Sequence, residues 1–161
     1  LLMTMYTIFS YVEDGFAYAG EAICGRYYGA GNMPGMFTTI KRLFMWGGVM
    51  VVLFTSLYAF GGDTLLSILT NDDKVIYAAD TYYWWAVFIP LAGMSAFILD
   101  GVFIGMTATR QMLLSSFLSA MFFYIIYYVA IGSMGNHALW LAFITFLIMR
   151  SVVLGIVLKN L

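Results

Sequence analysis

The stretch from Ala138 to Leu158 reads ALWLAFITFLIMRSVVLGIVL, and Arg150 is its only charge. At a helical rise of about 1.5 Å per residue, such a run is long enough to cross the ~30 Å hydrocarbon core of a bilayer. A helix there satisfies its backbone N–H and C=O groups internally, which lipid cannot do. Asn136 is placed to cap that helix. Four more apolar runs precede it, over about residues 4–28, 36–60, 75–105 (with Thr81 as the alternative start) and 112–131. Helix-breaking segments divide them: Gly29 to Gly35, then Gly61-Gly62-Asp63 and Thr70 to Lys74, then the turn Gly132 to Asn136. The short run Leu65 to Leu69 is too brief to span. The expectation is an all-α, polytopic membrane protein of five transmembrane helices in one partial lobe, residues 1–161.

Composition agrees. The chain is 63% hydrophobic and 9% charged, with a mean hydropathy of +0.94, which excludes disordered and ordinary soluble classes. A net charge of -1 without a basic patch excludes nucleic acid as a partner. The single Cys24 excludes an internal disulfide. No metal-ligand spacing, nucleophile arrangement or phosphate loop is present; Gly29-Ala30-Gly31 lacks the lysine of a P-loop. Neither enzymatic activity, a metal nor an organic cofactor is expected. The opening Leu-Leu-Met carries no basic leader or cleavage site, and a piece of a longer chain is expected.

Orientation follows from the cations. With alternating spans, Arg26, Lys41, Arg42, Arg110, Arg150 and Lys159 fall on one side, and Lys74 stands alone on the other. The basic side is expected to be cytoplasmic, so the C-terminus is inside. Tyr82 to Trp85, Tyr124, Tyr127, Tyr128 and Trp140 would form the outer aromatic belt, and Trp46, Tyr27 and Tyr28 the inner one. Early in the second span Met36, Phe37, Ile40, Leu43 and Phe44 share a face opposite Lys41 and Arg42, which suits a helix start lying at the interface. His137 is expected in a solvated external turn.

Three carboxyls sit where charge is hardest to keep. An ionised group in hydrocarbon costs several kcal/mol, so it turns toward protein or a water-filled cavity and marks an ion or substrate path. Asp14 lies near the middle of the first span, and Glu21, seven residues on, shares its helix face. Asp100 lies near the end of the third span, flanked by Gly101 and Gly105. These three are candidates for binding protons or cations in turn. Arg26 and Arg110 are candidate charge partners. The Gly25-xxx-Gly29 and Gly101-xxx-Gly105 spacings permit close helix approach. Pro90 removes a helical donor and is expected to kink the third span.

The string Asp14-Gly15-Phe16-Ala17 through Glu21, ending Gly25-Arg26-Tyr27-Tyr28-Gly29-Ala30, resembles the C-terminal half of multidrug and toxic compound extrusion transporters. So do Leu99 to Gly105 and Gly135 to Ala142, and the Asp-Gly pairs are most similar to the DNA-damage-inducible F-type branch. The resemblance implies twelve helices in two six-helix lobes around a V-shaped cavity, with this chain as helices eight to twelve. It implies export of cationic or amphipathic compounds in exchange for H⁺ or Na⁺. The partners implied are such a small substrate, the lipid bilayer and an N-terminal lobe of the same protein. The location implied is the inner (plasma) membrane. An aspartate that binds the coupling cation in another branch would align near Gly93, so that role does not pass directly to Asp100. Two alternatives stand beside this reading. A lipid-linked oligosaccharide flippase of the same superfamily would need cationic cavity residues, for which Arg26 is the candidate. A non-transporting membrane scaffold would have no need of Asp14 in mid-bilayer.

Overall fold

The computed structural model describes residues 1–160, apart from the side chain of Asp63. Six helices follow one another: α1 (Leu2–Gly29), α2 (Met33–Leu69), α3 (Asp73–Asp80), α4 (Tyr83–Gly105), α5 (Thr109–Met134) and α6 (His137–Lys159). No strand occurs among the described residues. The chain is all-α and polytopic.

Four of these helices are long and apolar enough to cross a membrane, over Met33–Gly62, Tyr83–Gly105, Thr109–Met134 and His137–Lys159. The sequence led us to expect five. The difference is α1, which has the length but carries Glu13, Asp14, Glu21 and Arg26. Those charges lower its hydropathy below that of its neighbours.

Local chemistry sets the breaks. The α1–α2 turn is shorter than the glycine-rich segment implies. Gly31 takes a positive φ of 69°, open to glycine at little cost. Asn32 then caps α2 by accepting a hydrogen bond from the Gly35 N–H at 2.9 Å. Pro34 sits in the first turn, where its missing N–H leaves no bond unmade. Gly61-Gly62 does not end α2 as expected. Each glycine costs a helix about 1 kcal/mol, while burying a leucine contributes about 1.5–3 kcal/mol. Leu66 is buried and Leu65 partly so, and the Tyr83 ring packs over Gly62. The third span begins close to the later of its two expected starts, and the residues before it form a separate short helix. Asp72 caps α3 through the Lys74 N–H at 2.9 Å, and a turn at Thr81-Tyr82 separates α3 from α4.

α4 is the centre of the bundle. It packs on α1, α2 and α6, touches α5, and has the most continuous buried surface. Pro90 lies inside it, fully buried. α5 and α6 pair and attach through α6. Two apolar cores form at opposite ends of α1. In one, Phe9 meets Phe54 with ring centroids 5.7 Å apart, and the Tyr58 hydroxyl donates to the Met5 carbonyl at 2.7 Å. The other gathers Cys24, Met36, Ile40, Leu43, Val102 and Leu154.

Four local expectations change. Met36, Ile40 and Leu43 pack into that second core, so the amphipathic face of α2 meets protein within one continuous helix. Tyr83 and Trp140 turn inward, unlike exposed Trp84 and Tyr128, and Tyr83 donates to the Tyr58 carbonyl. His137 is half-buried: its Nδ1 accepts from the Trp85 indole N–H at 2.9 Å, and the Tyr82 ring lies 4.7 Å away. An Asn136 side-chain cap on α6 is absent among the described residues.

Candidate functional site

Where α1 crosses α4, the backbones touch. A Cβ on Gly101 would collide with the Ala17 carbonyl, and one on Gly105 with the Glu21 carbonyl. A Cβ on Gly25 would lie 2.8 Å from the Gly105 carbonyl oxygen. Only glycine fits at such contacts, the device expected of small residues in membrane helix pairs. Gly29 contributes nothing to it, having open space where its Cβ would be.

This close crossing brings the carboxyls together. Asp14, Tyr18 and Glu21 share one face of α1; Phe97, Asp100 and Ile104 share one face of α4. Arg150 of α6 and Met112 of α5 complete a cleft of about 260 Å³. All three sequence-nominated carboxyls therefore line one space. Asp14 and Glu21 are half-buried, and among the described residues neither is in a hydrogen bond or ion pair.

Asp100 is paired. Arg150 Nε donates to its Oδ1 at 3.1 Å, and an Arg150 terminal nitrogen lies 2.8 Å from Oδ2. This two-point geometry fixes orientation as well as charge. It ties α4 to α6, while the Ser115 hydroxyl of α5 donates to the Arg150 carbonyl at 3.1 Å. With three acids and one guanidinium, the formal charge of the cleft is −2 (three negative, one positive). Such a space attracts a cation and disfavours an anion.

The nominated cations lie elsewhere. Arg26 is exposed, its guanidinium carbon 5.6 Å from the Tyr27 ring centroid. Arg110 is exposed beside Leu113, Leu114 and Phe117. Neither takes part in a salt bridge among the described residues. Arg150 was legible by the argument that selected the acids, a charge inside an apolar run. Gly93 sits against the side chains of Phe9, Phe97 and Leu147.

One carboxyl escaped sequence reading. Glu13 has no exposed surface, and neither of its oxygens has a hydrogen-bond partner among the described residues. Its signal was the same mid-span depth that drew attention to Asp14, one position along.

The MatE family profile matches residues 1–129. The chain is 35% identical to the DNA damage-inducible protein F of Escherichia coli (strain K12) over 155 residues, which is 96% of this chain and 34% of that protein. The chain thus spans about a third of the length of the relative it matches. No solved structure matches it. A match over most of the chain, with carboxyls and close-packed glycines at the positions that carried the resemblance, shows that it belongs to the multidrug and toxic compound extrusion (MatE) family, in its DNA-damage-inducible F-like branch.

Proposed function

We propose that this chain is the greater part of the C-terminal lobe of a secondary antiporter, which exports cationic or amphipathic compounds in exchange for H⁺ or Na⁺. The observation that supports it most is the cleft that Asp14, Glu21 and Asp100 line together with one guanidinium, Arg150. Its carboxylates would hold the substrate's positive charge, and Phe97, Tyr18 and Ile104 its apolar body. A drug-sized ligand needs a pocket of about 300–1,000 Å³. At about 260 Å³, the cleft supplies one wall of a larger site. The opposite wall would come from an N-terminal lobe of the same protein. Alternating access follows if one lobe rocks against the other around that site.

The same reading places the protein in the inner (plasma) membrane with the basic ends of the helices, and the C-terminus, in the cytoplasm. α1 crosses the bilayer with its charged face covered by protein. A flippase is less well supported: its anionic lipid headgroup needs free cations in the cavity, whereas Arg26 does not line the cleft and Arg150, which does, is held by Asp100.

The test is efflux of a fluorescent lipophilic cation from liposomes containing the full-length protein. Efflux driven by a proton or sodium gradient, and reduced about tenfold or more by Asp14→Asn, is expected. No gradient-driven efflux, or full activity in Asp14→Asn, would overturn the proposal.

A further inference from the structure

Glu13 and Asp14 are neighbours that face different environments. Adjacent side chains on a helix point about 100° apart. Asp14 lines the cleft, whereas Glu13 lies on the buried face between Phe9, packed on Phe54 of α2, and Gly20, packed on Leu43 of α2 and Val102 of α4. There it is fully enclosed, with both oxygens unpartnered among the described residues.

The titratable groups of the surrounding helices are otherwise engaged or distant along the bundle. On α2, Lys41 and Arg42 are exposed near the far end of α1, and Tyr58 donates to the Met5 carbonyl. Asp63 follows Tyr58 by more than a turn toward the other end. On α4, Asp100 is held by Arg150, and Tyr83 donates to the Tyr58 carbonyl. On α1 itself, Asp14 and Glu21 face the cleft, Tyr11 and Tyr18 are exposed, the Tyr6 ring packs tilted against Phe97 and edge-to-face against Phe143, and Cys24 is buried in the second core.

An enclosed carboxylate with no partner is several kcal/mol out of balance, while the neutral acid avoids most of that cost. We propose that Glu13 is the proton-binding residue of the exchange, a site separate from the cleft that takes the substrate. In the arrangement seen here its carboxyl holds a proton. The proton leaves only when α1 shifts against α2 and α4 and brings water or a polar partner to it. Proton binding and lobe arrangement are then linked, and the linkage acts in both directions. Asp14 would sense the same shift of α1 from the cleft side. This rests on the antiporter reading above and assigns it a counter-ion.

The experiment uses the full-length protein in liposomes, as wild type, Glu13→Gln, Glu13→Asp and Asp14→Asn. Infrared titration should show a protonated-carboxyl band that Glu13→Gln removes, Glu13→Asp moves and Asp14→Asn retains. Proton-driven efflux by Glu13→Gln should fall about tenfold and lose its pH dependence, with substrate Kd within about twofold of wild type. Glu13→Asp should restore part of both. A band untouched by Glu13→Gln, or a wild-type pH profile in that variant, would overturn the proposal. If Glu13→Gln does not fold, an unmoved band in Glu13→Asp does the same. A wild-type protein that moves no cation under any gradient overturns the antiporter reading and the coupling role with it, while the infrared band still reports whether Glu13 holds a proton.

Discussion

Asp100 and Arg150 show how a charge is kept among apolar helices. Each is mostly covered, with side-chain exposures of 19% and 25%, and the guanidinium meets both carboxylate oxygens. Removing one member leaves the other without a partner in a low-dielectric setting. A fully buried broken pair costs about 3–5 kcal/mol; partial exposure here reduces that to about 1–2 kcal/mol. Asp100→Asn should therefore lower the thermal midpoint of the detergent-solubilised full-length protein, and Asp100→Arg combined with Arg150→Asp should recover part of the loss. A double variant no more stable than Asp100→Arg alone would remove the pair from the account. The presence of charge was legible in sequence, because an acid or base within a long apolar run stands out. Its pairing was not. Arg150 lies fifty positions from Asp100 in sequence, and only the packing of α6 on α4 brings them together. Glu13 was obscured for a related reason: adjacent acids look alike in one dimension, although one faces a cleft and the other a core.

At the scale of elements, glycine at the α1–α4 crossing decides how near the carboxyls come. Gly101→Ala and Gly105→Ala must push α1 away, because the obstructing atoms are backbone and cannot rotate aside. Overpacking of this kind costs about 1–3 kcal/mol. Gly15→Ala and Gly29→Ala meet open space, and the gain in helix propensity is about 1 kcal/mol at most. Melting curves of the four full-length variants should therefore fall into two groups, and equal midpoints would contradict the crossing geometry. Hydrophobic periodicity and breakers located most of the helical content. They misplaced the ends of elements wherever tertiary burial outweighed a local preference. Gly61-Gly62 remains helical because Leu66 is buried beyond it, and the third run divides at Thr81-Tyr82, close to the later of its two expected starts, although no glycine or proline marks the turn. Aromatic residues at helix ends were assigned to the bilayer surface, yet Tyr83 bonds inward because the Tyr58 carbonyl of α2 lies within its reach.

At the scale of the molecule, the faces left uncovered indicate what surrounds the chain. Leu113, Phe117 and Val129 on α5, with Val52 and Phe60 on α2, are exposed apolar side chains that a water-soluble protein would not gather in such number. Lipid suits them; the charged cleft needs protein or water instead. Residues 1–161 reconstituted without the rest of the protein should insert but give no gradient-driven efflux, since half a cavity is open to hydrocarbon; efflux by this segment would contradict the two-lobe account. For topology, a cysteine replacing Asp72 should react with an impermeant maleimide from outside the cell, and one replacing Gly31 only from the cytoplasmic side. The reverse pattern would invert the orientation. The central claim, that the cleft of Asp14, Glu21 and Asp100 holds the positive charge of a substrate, is tested most directly by equilibrium binding of a radiolabelled lipophilic phosphonium to the purified full-length protein. Asp14→Asn should raise Kd about tenfold, equivalent to about 1.4 kcal/mol, while Leu113→Asn on the lipid-facing side of α5 leaves it unchanged; wild-type affinity in an Asp14→Asn, Glu21→Gln double variant would contradict the claim.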